Sequence, residues 1–517
     1  MTFEIVFVLL SLLGMMAALI ADKMRPGMVL FSVVVLFLCV GILTPKEMLE
    51  GFSNKGMITV ALLFLVSEGI RQSGTLGQVI KKLLPQGKTT VFKAQLRILP
   101  SVAFISAFLN NTPVVVIFAP IIKHWAKSVN LPATKFLIPL SYVTILGGIC
   151  TLIGTSTNLV VHGMILEAGY EGFTMFELGK VGIFIAIAGI IYLFIFSKRL
   201  LPDARPDTAV PDEEVEEGEK LHRVEAVLGA RFPGINKKLS DFNFQRHYGA
   251  EVKEIKTRNG QRYVDHLEDV VLREGDTLVV MADDTFIPTW GESSVFVLLT
   301  NGNDPDTSGK KKRWLALILL VLMIVGATVG ELPATKEMFP DIKLDMFFFV
   351  CITTIIMAWT NIFPARKYTK YISWDILITI ACAFAISKAM VNSGVADCVA
   401  GFIIGLSDDY GPHVLLAILF VITNLFTELI TNNAAAALAF PLALSISAQL
   451  GVSPTPFFVV ICMAASASFS TPIGYQTNLI VQGIGNYKFT DFVRIGLPLN
   501  IITFLISVIL IPLIWNF

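Results

Sequence analysis

Two short strings of asparagine and threonine lie inside apolar stretches of this sequence. The first is Asn110-Asn111-Thr112 in FLNNTPVVVIFAP (108–120), and the second is Thr431-Asn432-Asn433 in TELITNNAAAALAFP (427–441). An unpaired amide or hydroxyl in an apolar environment costs about 4–8 kcal/mol relative to water. Amide and hydroxyl oxygens bind small hard cations, and amide N–H groups bind anions. A single string of this kind is most often an ordinary turn, but its duplication inside two apolar stretches favours an ion-binding site.

The two strings belong to a repeat that covers much of the chain. Three blocks of the first half recur in the second half in the same order, at an offset of 320 or 321 residues. The pairs are LVSEGIRQSG (65–74) with AISKAMVNSG (385–394), SAFLNNTPVVVIFAP (106–120) with TELITNNAAAALAFP (427–441), and CTLIGTSTNLVVHG (150–163) with STPIGYQTNLIVQG (470–483). Duplicated, interrupted hydrophobic segments are typical of secondary transporters whose site lies between two repeats.

The composition places these blocks in a membrane. Of 517 residues, 54% are hydrophobic and 15% are charged, against about 25% charged in a typical soluble domain. About ten apolar runs are mostly long enough to cross a bilayer core. The first run follows MTFE, which lacks a basic segment, so we interpret it as a retained helix and not a signal peptide. The sequence predicts a polytopic α-helical protein of the cell (inner or plasma) membrane.

The distribution of lysine and arginine predicts the orientation of the spans. Cationic clusters occur near 23–25, 81–97, 123–135, 198–199, 310–313 and 366–370, whereas 164–177, 391–413 and 442–455 contain no lysine or arginine. The positive-inside rule places the first group of loops in the cytoplasm and the second group outside, with an external N-terminus. The two halves then begin with opposite orientations, which predicts inverted repeats.

Each asparagine string interrupts an apolar stretch, 95–120 or 414–441, whose flanking loops lie on one side of the membrane. This pattern predicts two re-entrant hairpins with the strings at their tips. The GTSTN and GYQTN blocks predict matching helix breaks, because Gly154 and Gly474 permit conformations that other residues resist and Pro472 removes a helix hydrogen bond. Non-helical backbone at that depth occurs only where it is buried or lines a cavity.

A hydrophilic segment separates the two halves. It contains three strand-like runs, HRVEAVLGA, AEVKEIKTRNG and DTLVVMADD, after an acidic, proline-containing stretch. We interpret it as a small cytoplasmic α/β domain between two membrane repeats. The predicted domains are membrane repeat 1 (1–200), an acidic linker (201–218), the inserted domain (219–290), a second linker (291–312) and membrane repeat 2 (313–517).

The asparagine strings and helix breaks carry no cationic side chain. The windows 100–120, 147–163, 423–441 and 463–483 contain no lysine or arginine. A bound anion there would be stabilised by helix N-termini, amide donors and a bound cation, which favours coupling to Na⁺. Glu428 and Glu68 are carboxylates inside predicted spans and are candidate ion carriers, with a cap or brace of the hairpin as the alternative role of Glu428. The sequence shows no nucleophile–base motif and no metal-ligand spacing of its six cysteines, so we expect no enzymatic activity and no organic cofactor.

These residues resemble the divalent anion/sodium symporters, a family that carries sulfate and di- and tricarboxylates. The paired NNT and TNN tips look like variants of the family's Ser-Asn-Thr signatures, and STPIGYQTN strengthens the likeness. The resemblance implies a homodimer that moves its site by an elevator mechanism. This sequence differs from the family signature at Asn110 and Thr431, where the family has serine, and at Asn433, where the family has threonine. The larger amides narrow the site.

The resemblance also implies a set of binding residues. One sodium site would use Ser106, Asn111 and backbone near Cys150 and Gly154, and the other would use Thr427, Asn432 and backbone near Ser470. The anion would lie between two groups of side chains, with Thr471 close by; the groups are Asn110, Asn111 and Thr112 on one side and Thr431, Asn432 and Asn433 on the other.

The inserted domain resembles the C-terminal module of TrkA-type potassium-uptake regulators, which implies either an unknown regulatory ligand at 219–290 or a passive folding role. Membrane halves joined to such modules resemble the sulfate branch of the family.

The leading hypothesis is Na⁺-coupled import of a small divalent anion, with sulfate ahead of a C4-dicarboxylate. The alternative is a cation/proton antiporter or an arsenite-type exporter that uses Glu428 and Glu68. A potassium channel is disfavoured because no TVGYG-like filter is present. No nucleic-acid partner is expected.

Overall fold

A computed structural model of the chain describes residues 2–21, 23–85, 87–203, 222–229, 232–257, 261–283, 286, 290, 295–300, 310–339, 342–405 and 411–517. These residues form many α-helices and one small β-sheet. The predicted class, a polytopic helical protein with a small inserted sheet region, is confirmed. The predicted acidic linker lies outside the described residues from position 204 onward.

The helices fall on either side of the sheet along the chain. Those before it are α1 (Phe3–Ala21), α2 (Pro26–Val40), α3 (Pro45–Glu50), α4 (Lys55–Gln72), α5 (Thr75–Leu83), α6 (Val91–Ser106), α7 (Asn111–Ser128), α8 (Thr134–Gly148), α9 (Ser156–Glu167) and α10 (Gly179–Leu200). The short helix α11 (Phe244–Tyr248) accompanies the sheet. Those after it are α12 (Lys310–Gly330), α13 (Pro333–Met338), α14 (Met346–Trp359), α15 (Tyr368–Tyr371), α16 (Trp374–Asn392), α17 (Val395–Gly405), α18 (Gly411–Leu429), α19 (Asn432–Leu450), α20 (Thr455–Ser466), α21 (Gln476–Gly485) and α22 (Phe489–Ile514).

Local chemistry sets many of these boundaries. α2 begins with Pro26 at its first position, where the missing N–H has no intrahelical partner to lose. It ends at Gly41, whose φ of 82° lies in the left-handed region that glycine adopts without steric strain. α3 begins with a capping box, in which the Thr44 hydroxyl accepts from the Glu47 N–H and the Glu47 carboxylate accepts from the Thr44 N–H.

Eight helical segments within the described residues are long and apolar enough to cross a membrane. Four further apolar helices, α2, α14, α17 and α20, have between 11 and 15 residues and fall short of a full span. The prediction of about ten spans therefore overcounts the complete ones. The reason is physical: apolar runs such as 134–153 continue past the end of a helix into buried, non-helical backbone.

The two halves of the chain share one hydrophobic core. α2 packs against α16, and α10 packs against α22, so helices from the first half lie against helices from the second. Tyr192 of α10 donates to the Ile495 carbonyl oxygen of α22 at 3.0 Å. Tyr142 of α8 is fully buried and donates to the Phe469 carbonyl oxygen at 2.5 Å. Neither half therefore completes its core alone.

The sheet is antiparallel throughout, in the order β3-β2-β4-β1-β5. Its strands are β1 (His222–Leu228), β2 (Glu251–Lys256), β3 (Arg262–Tyr263), β4 (Thr277–Ala282) and β5 (Phe296–Thr300). One face packs on its own small core, which includes Phe232, Phe244 and Tyr248. The three strand-like runs read from the sequence correspond to β1, β2 and β4.

One predicted boundary needs correction. The segment 291–312 was predicted as a linker, but β5 lies within it and its backbone pairs with β1. The sheet therefore extends to Thr300. The run FVLLT stands close to a membrane helix in the sequence, and its apolar residues do not alternate clearly with polar ones, so its pairing with a strand 70 residues earlier was not visible.

Candidate functional site

Four helix breaks define the candidate site. They lie at 107–110 between α6 and α7, at 149–155 between α8 and α9, at 430–431 between α18 and α19, and at 467–475 between α20 and α21. All four were expected from the duplicated blocks. In each, the chain leaves the helical conformation beside a Gly, Asn, Ser or Thr residue. These four segments are called the candidate site below.

Each break is followed directly by the N-terminus of a helix. α7, α9, α19 and α21 start at Asn111, Ser156, Asn432 and Gln476. At α7, α9 and α21 no side chain of the N-cap residue accepts a hydrogen bond from the first turn. At α19 the Thr431 hydroxyl accepts from the Ala434 N–H at 3.4 Å. Helix N-termini of this kind attract anions.

Within each half, a hydroxyl holds the asparagine at the start of the helix. Ser106 Oγ donates to Asn111 Oδ1 at 2.8 Å, and Thr427 Oγ1 donates to Asn432 Oδ1 at 2.9 Å. All four side chains are buried. The two pairs are related by the offset of 321 found in the sequence. Each pair brings two hard oxygen atoms together, which is the kind of ligand that a small cation binds.

Side-chain contacts between the two halves join the start of α19 to the start of α9, and the start of α7 to the start of α21. Ser156 Oγ and Thr157 Oγ1 of the first half lie 3.4 and 3.2 Å from Asn433 Oδ1 of the second. Thr112 Oγ1 lies 3.4 Å from Gln476 Oε1, and this pair is the repeat equivalent of Ser156 with Asn433. The four helix N-termini are therefore neighbours across the boundary between the repeats.

Tyr475 is a site residue that the sequence reasoning missed. Its hydroxyl accepts from Asn111 Nδ2 at 2.6 Å and lies 3.4 Å from Thr155 Oγ1. The side chain thus crosses from the second half to the sodium-site asparagine of the first. The available signal was its place in the GYQTN block, where it is the repeat equivalent of Thr155.

A second missed feature is a pair of buried asparagines that brace the breaks. Asn158 Nδ2 donates to the Thr151 carbonyl oxygen at 2.9 Å, and Asn478 Nδ2 donates to the Thr471 carbonyl oxygen at 3.1 Å. In the same two loops, the hydroxyls of Thr151 and Thr471 accept from the N–H groups of Gly154 and Gly474, each at 3.1 Å. The two breaks therefore share one hydrogen-bonded fold, in agreement with the sequence repeat.

The backbone groups assigned to the first sodium site by resemblance occupy different surroundings. A Cβ on Gly154 would lie 2.5 Å from the Gly148 carbonyl oxygen, and a Cβ on Gly148 would lie 2.7 Å from Asn111 Oδ1. Gly154 is therefore next to the Ser106–Asn111 pair. The Cys150 carbonyl oxygen, by contrast, faces Gly179 of α10. Gly148 therefore lies directly beside Asn111.

The second sodium site has a similar arrangement. A Cβ on Gly474 would lie 2.4 Å from Ser468 Oγ and 2.8 Å from the Thr427 carbonyl oxygen. Ser468 Oγ donates to that same carbonyl at 2.9 Å. Ser470, the residue named by resemblance, instead donates its backbone N–H to Glu428 Oε1 at 2.8 Å. Ser468 is thus nearer to Thr427 than Ser470 is.

Glu428 braces the loop that carries Thr471. Its two carboxylate oxygens accept from the backbone N–H groups of Ser470 and Thr471, each at 2.8 Å, and one also accepts from Asn500 Nδ2 at 2.8 Å. The Thr471 hydroxyl donates to the Glu428 carbonyl oxygen at 3.1 Å. Three neutral donors therefore satisfy this carboxylate inside the protein. Glu68, the other carboxylate, forms an ion pair with Arg71 at 2.7 Å.

Asn110 and Thr431 lie at the edge of the candidate site. Asn110 is half-buried and lines a cavity of about 10 Å³ together with Ser156 and Ser67. A larger cavity, of about 360 Å³, lies in the sheet region beside Arg273 and Asp276. The smaller cavity is lined by Asn110 and Ser156 of the duplicated blocks, whereas the larger one is lined by none of their residues.

The chemistry of the candidate site is that of neutral oxygen and N–H groups. Among the described residues, no group of three or more His, Cys, Asp or Glu side chains has the spacing of a metal site. The repeat segments around the breaks contain no lysine or arginine. Such a site favours an anion at the helix N-termini and a small cation at the hydroxyl–asparagine pairs.

Comparison with known proteins identifies the family. The citrate transporter family model matches residues 16–446 and 338–517. An uncharacterized transporter of Synechocystis sp. (strain ATCC 27184 / PCC 6803 / Kazusa) is 29% identical over 94% of this chain and 93% of its own length.

Two proteins of Chlamydomonas reinhardtii are also similar. A putative sulfur deprivation response regulator is 28% identical over 93% of this chain and 96% of its own length. Sodium/sulfate cotransporter 2 is 30% identical over 54% of this chain and 31% of its own length. These matches confirm the resemblance drawn from the duplicated asparagine blocks; the likeness of the inserted domain to TrkA modules stays a prediction. The chain belongs to the citrate transporter family and is a multi-pass membrane transporter, not an enzyme.

Proposed function

We propose that this chain is a Na⁺-coupled symporter of a small divalent anion, with sulfate favoured over a C4-dicarboxylate. The observation that carries the proposal is the meeting of four helix N-termini, those of α7, α9, α19 and α21, in a site whose sequence segments lack lysine and arginine. Each N-terminus acts as about half a positive charge, so the four together offset about two negative charges.

The hydroxyl–asparagine pairs support the role of sodium. In the proposal one Na⁺ binds the oxygens of Ser106 and Asn111 with backbone near Gly154, and the other binds the oxygens of Thr427 and Asn432 with backbone near Gly474. A cation in either place lies directly beside the start of an anion-attracting helix. It therefore lowers the free energy of bringing the anion into the protein, which couples the two solutes.

The side chains across the boundary support a small substrate. Asn433 reaches Ser156 and Thr157, and Tyr475 reaches Asn111. These direct contacts leave little width for a bulky carboxylate such as citrate. The name of sodium/sulfate cotransporter 2 is in keeping with a tetrahedral oxyanion. In our proposal the anion lies between Asn110, Asn111 and Thr112 on one side and Thr431, Asn432 and Asn433 on the other, near Thr471.

The movement that we propose is an elevator. The segments α6–α7 and α18–α19 would be re-entrant hairpins whose tips close over ions and substrate. The helices that flank the four breaks, α21 included, would move as one unit past the remaining helices. At their tips, both hairpin segments form side-chain hydrogen bonds to the opposite repeat. Such bonds exchange readily for bonds to a bound solute.

Uptake into proteoliposomes tests the proposal. The purified protein would be offered radiolabelled sulfate, thiosulfate, molybdate, succinate, citrate and taurine, each with and without an inward Na⁺ gradient. We expect sulfate uptake that depends on Na⁺, and weaker or no uptake of citrate and taurine. Uptake of none of the anions, together with Na⁺/H⁺ exchange without any anion, would overturn the proposal in favour of an antiporter.

Two substitutions connect the uptake to the candidate site. Asn111→Ala and Asn432→Ala each remove a sodium-site oxygen and the partner of Ser106 or Thr427, so we expect coupled uptake to fall to background while the protein remains folded. Asn392→Ala is the matched control, because Asn392 donates to the Ile42 carbonyl and to Glu47, and neither residue belongs to the four breaks. Near-normal uptake by either site variant removes that residue from the proposed site.

A further inference from the structure

Two helices run directly from the candidate site to the inserted sheet. α7 begins at Asn111 in the site and carries Lys123 twelve residues later, about 18 Å along the helix axis. α21 begins at Gln476 in the site and carries Leu479 and Gly483 in its next turns, the latter about 10 Å along the axis. Both helices meet the sheet at these positions.

The contacts at the sheet are close and specific. Lys123 Nζ binds both carboxylate oxygens of Glu225 in β1, at 3.1 and 3.0 Å. A Cβ on Gly483 would lie 2.4 Å from Thr277 Oγ1 in β4, so a larger residue there would displace the Thr277 hydroxyl. A Cβ on Gly275, just before β4, would lie 3.6 Å from Leu479 Cβ.

One face of the sheet is built for this contact. Val227 pairs in register with Thr277, and Thr277 pairs with Lys256, so these three residues lie side by side on one face, with Glu225 two residues before Val227. Val227 is fully buried among the residues of the helical core and not in the core of the sheet. We call Glu225, Val227, Thr277 and Lys256 the docking face.

The same domain also touches a different part of the helical bundle. Asn236 Nδ2 donates to the Lys23 carbonyl oxygen in the turn between α1 and α2, at 3.1 Å. α1 and α2 pack against each other and against α16 and α17. The sheet domain therefore contacts the turn between α1 and α2 as well as the two site helices.

The ion pair at the docking face is suited to reversible contact. Glu225 lies between two lysines, Lys123 of α7 and Lys256 of the sheet itself, the second at 3.5 Å. When Lys123 moves away, Glu225 keeps Lys256 as a partner, so separation leaves no uncompensated buried carboxylate. Polar contacts of this kind are typical of domain interfaces that open and close.

We propose that the docking face is a brake on transport: while it holds the cytoplasmic ends of α7 and α21, the two helices cannot move, and undocking releases them. The uptake part of this inference rests on the proposed symport function, whereas the docking itself does not. Weakening the contact is therefore expected to speed transport, and fixing it covalently is expected to stop transport.

A disulfide tests the brake directly. In a background with the six native cysteines replaced, Gly275→Cys and Leu479→Cys place two Cβ atoms at a separation within the range of disulfides. Gly275 has a φ of 85°, so the single Gly275→Cys variant is the control for backbone strain. We expect mild oxidation to join the pair, to lower sulfate uptake at least tenfold, and reductant to restore it. Undiminished uptake by the oxidised pair overturns the brake.

Charge reversal gives a readout that does not need transport. Lys123→Glu or Glu225→Lys in the cysteine-pair background is expected to slow disulfide formation at least threefold and to raise uptake by the reduced protein. The double variant Lys123→Glu with Glu225→Lys is expected to restore both rates. Disulfide formation that is indifferent to these charges overturns the docking face. If the unaltered chain takes up no anion, the proposed function fails, and the disulfide rates still decide the docking.

Discussion

The hydroxyl of Tyr475 joins the two halves of the transporter at the sodium-site asparagine. Asn111 is held on both sides, because its oxygen accepts from Ser106 and its amide donates to Tyr475. Both bonds fix the direction in which the Asn111 oxygen points. A single phenol of the second repeat therefore fixes the orientation of Asn111, which belongs to the proposed cation site of the first repeat.

Replacing Tyr475 by phenylalanine is expected to weaken sodium binding more than anion binding. The change leaves Asn111 Nδ2 without its acceptor at a buried position, which costs about 1–3 kcal/mol. We expect the Na⁺ concentration for half-maximal uptake to rise about tenfold. Tyr192→Phe is the control, since it removes a similar bond to the Ile495 carbonyl away from the site. Equal effects of the two variants would place Tyr475 outside the sodium site.

Glu428 separates the symporter from the antiporter alternative. If Glu428 is a brace, its replacement by glutamine removes one of the three hydrogen bonds that the carboxylate accepts. The reason is that the amide nitrogen of glutamine donates hydrogen bonds and cannot accept one from an N–H group. We therefore expect Glu428→Gln to lower the free energy of unfolding by about 1–3 kcal/mol while Na⁺-dependent sulfate uptake persists at a reduced rate.

The measurements are thermal unfolding in detergent and uptake at varied Na⁺. Glu68→Gln serves as the companion variant, because Glu68 is ion-paired with Arg71 in α4 and belongs to none of the four breaks of the candidate site. Loss of all coupling in Glu428→Gln, with unchanged thermal stability, would identify Glu428 as an ion carrier and favour the antiporter.

At the scale of the elements, the broken helices depend on close backbone approach. Gly154 and Gly474 stand at equivalent places in the two breaks, and a methyl group on either would enter space already filled by Gly148 or by Ser468 and Thr427. The loops are further fixed by Asn158 and Asn478. Little rearrangement is therefore available to accept a larger residue.

Gly474→Ala is expected to damage both stability and transport. The overpacking costs about 1–3 kcal/mol, and it displaces the Thr427 carbonyl from the second proposed sodium site. We expect a lower unfolding temperature and uptake reduced by about tenfold or more. Gly14→Ala is the matched control, since a Cβ at Gly14 in α1 would meet no atom within 4 Å. Wild-type uptake by Gly474→Ala would show that this approach is not needed.

The sequence was sufficient for the elements of the site but not for their partners. The duplicated blocks predicted all four breaks, and the family resemblance implied the pairs Ser106–Asn111 and Thr427–Asn432, whose residues are five positions apart in the chain. They did not predict Tyr475 against Asn111, which are 364 residues apart. Such contacts depend on how the two repeats pack, and no local periodicity encodes that packing. For the same reason the sequence did not indicate that Gly148 lies beside Asn111 and Ser468 beside Thr427.

At the scale of the whole molecule, orientation in the membrane remains a prediction from charge. Lys253 lies on the exposed part of the sheet with 51% of its side chain accessible, and Glu171 lies exposed between α9 and α10. The positive-inside rule places the first in the cytoplasm and the second outside. The two positions therefore serve as opposite reporters.

We expect a membrane-impermeant thiol reagent to label Glu171→Cys in intact cells and Lys253→Cys only in inside-out vesicles. Both variants would be made in a background without Cys39, which is exposed in the structure. Labelling of both positions from the same side would refute the assigned orientation.

The homodimer and a regulatory ligand for 219–290 also stay predictions; the cavity of about 360 Å³ beside Arg273 is the place to seek such a ligand.

The positive ends at the candidate site are peptide N–H groups, and these do not lose their protons near neutral pH. The attraction for the anion consequently does not titrate, unlike one supplied by histidine or a perturbed lysine. The pH dependence of uptake then reports the ionisation of the transported anion. A fully ionised oxyanion would enter at a steady rate across the neutral range, whereas a dicarboxylate would slow on the acidic side as its second carboxyl group takes up a proton.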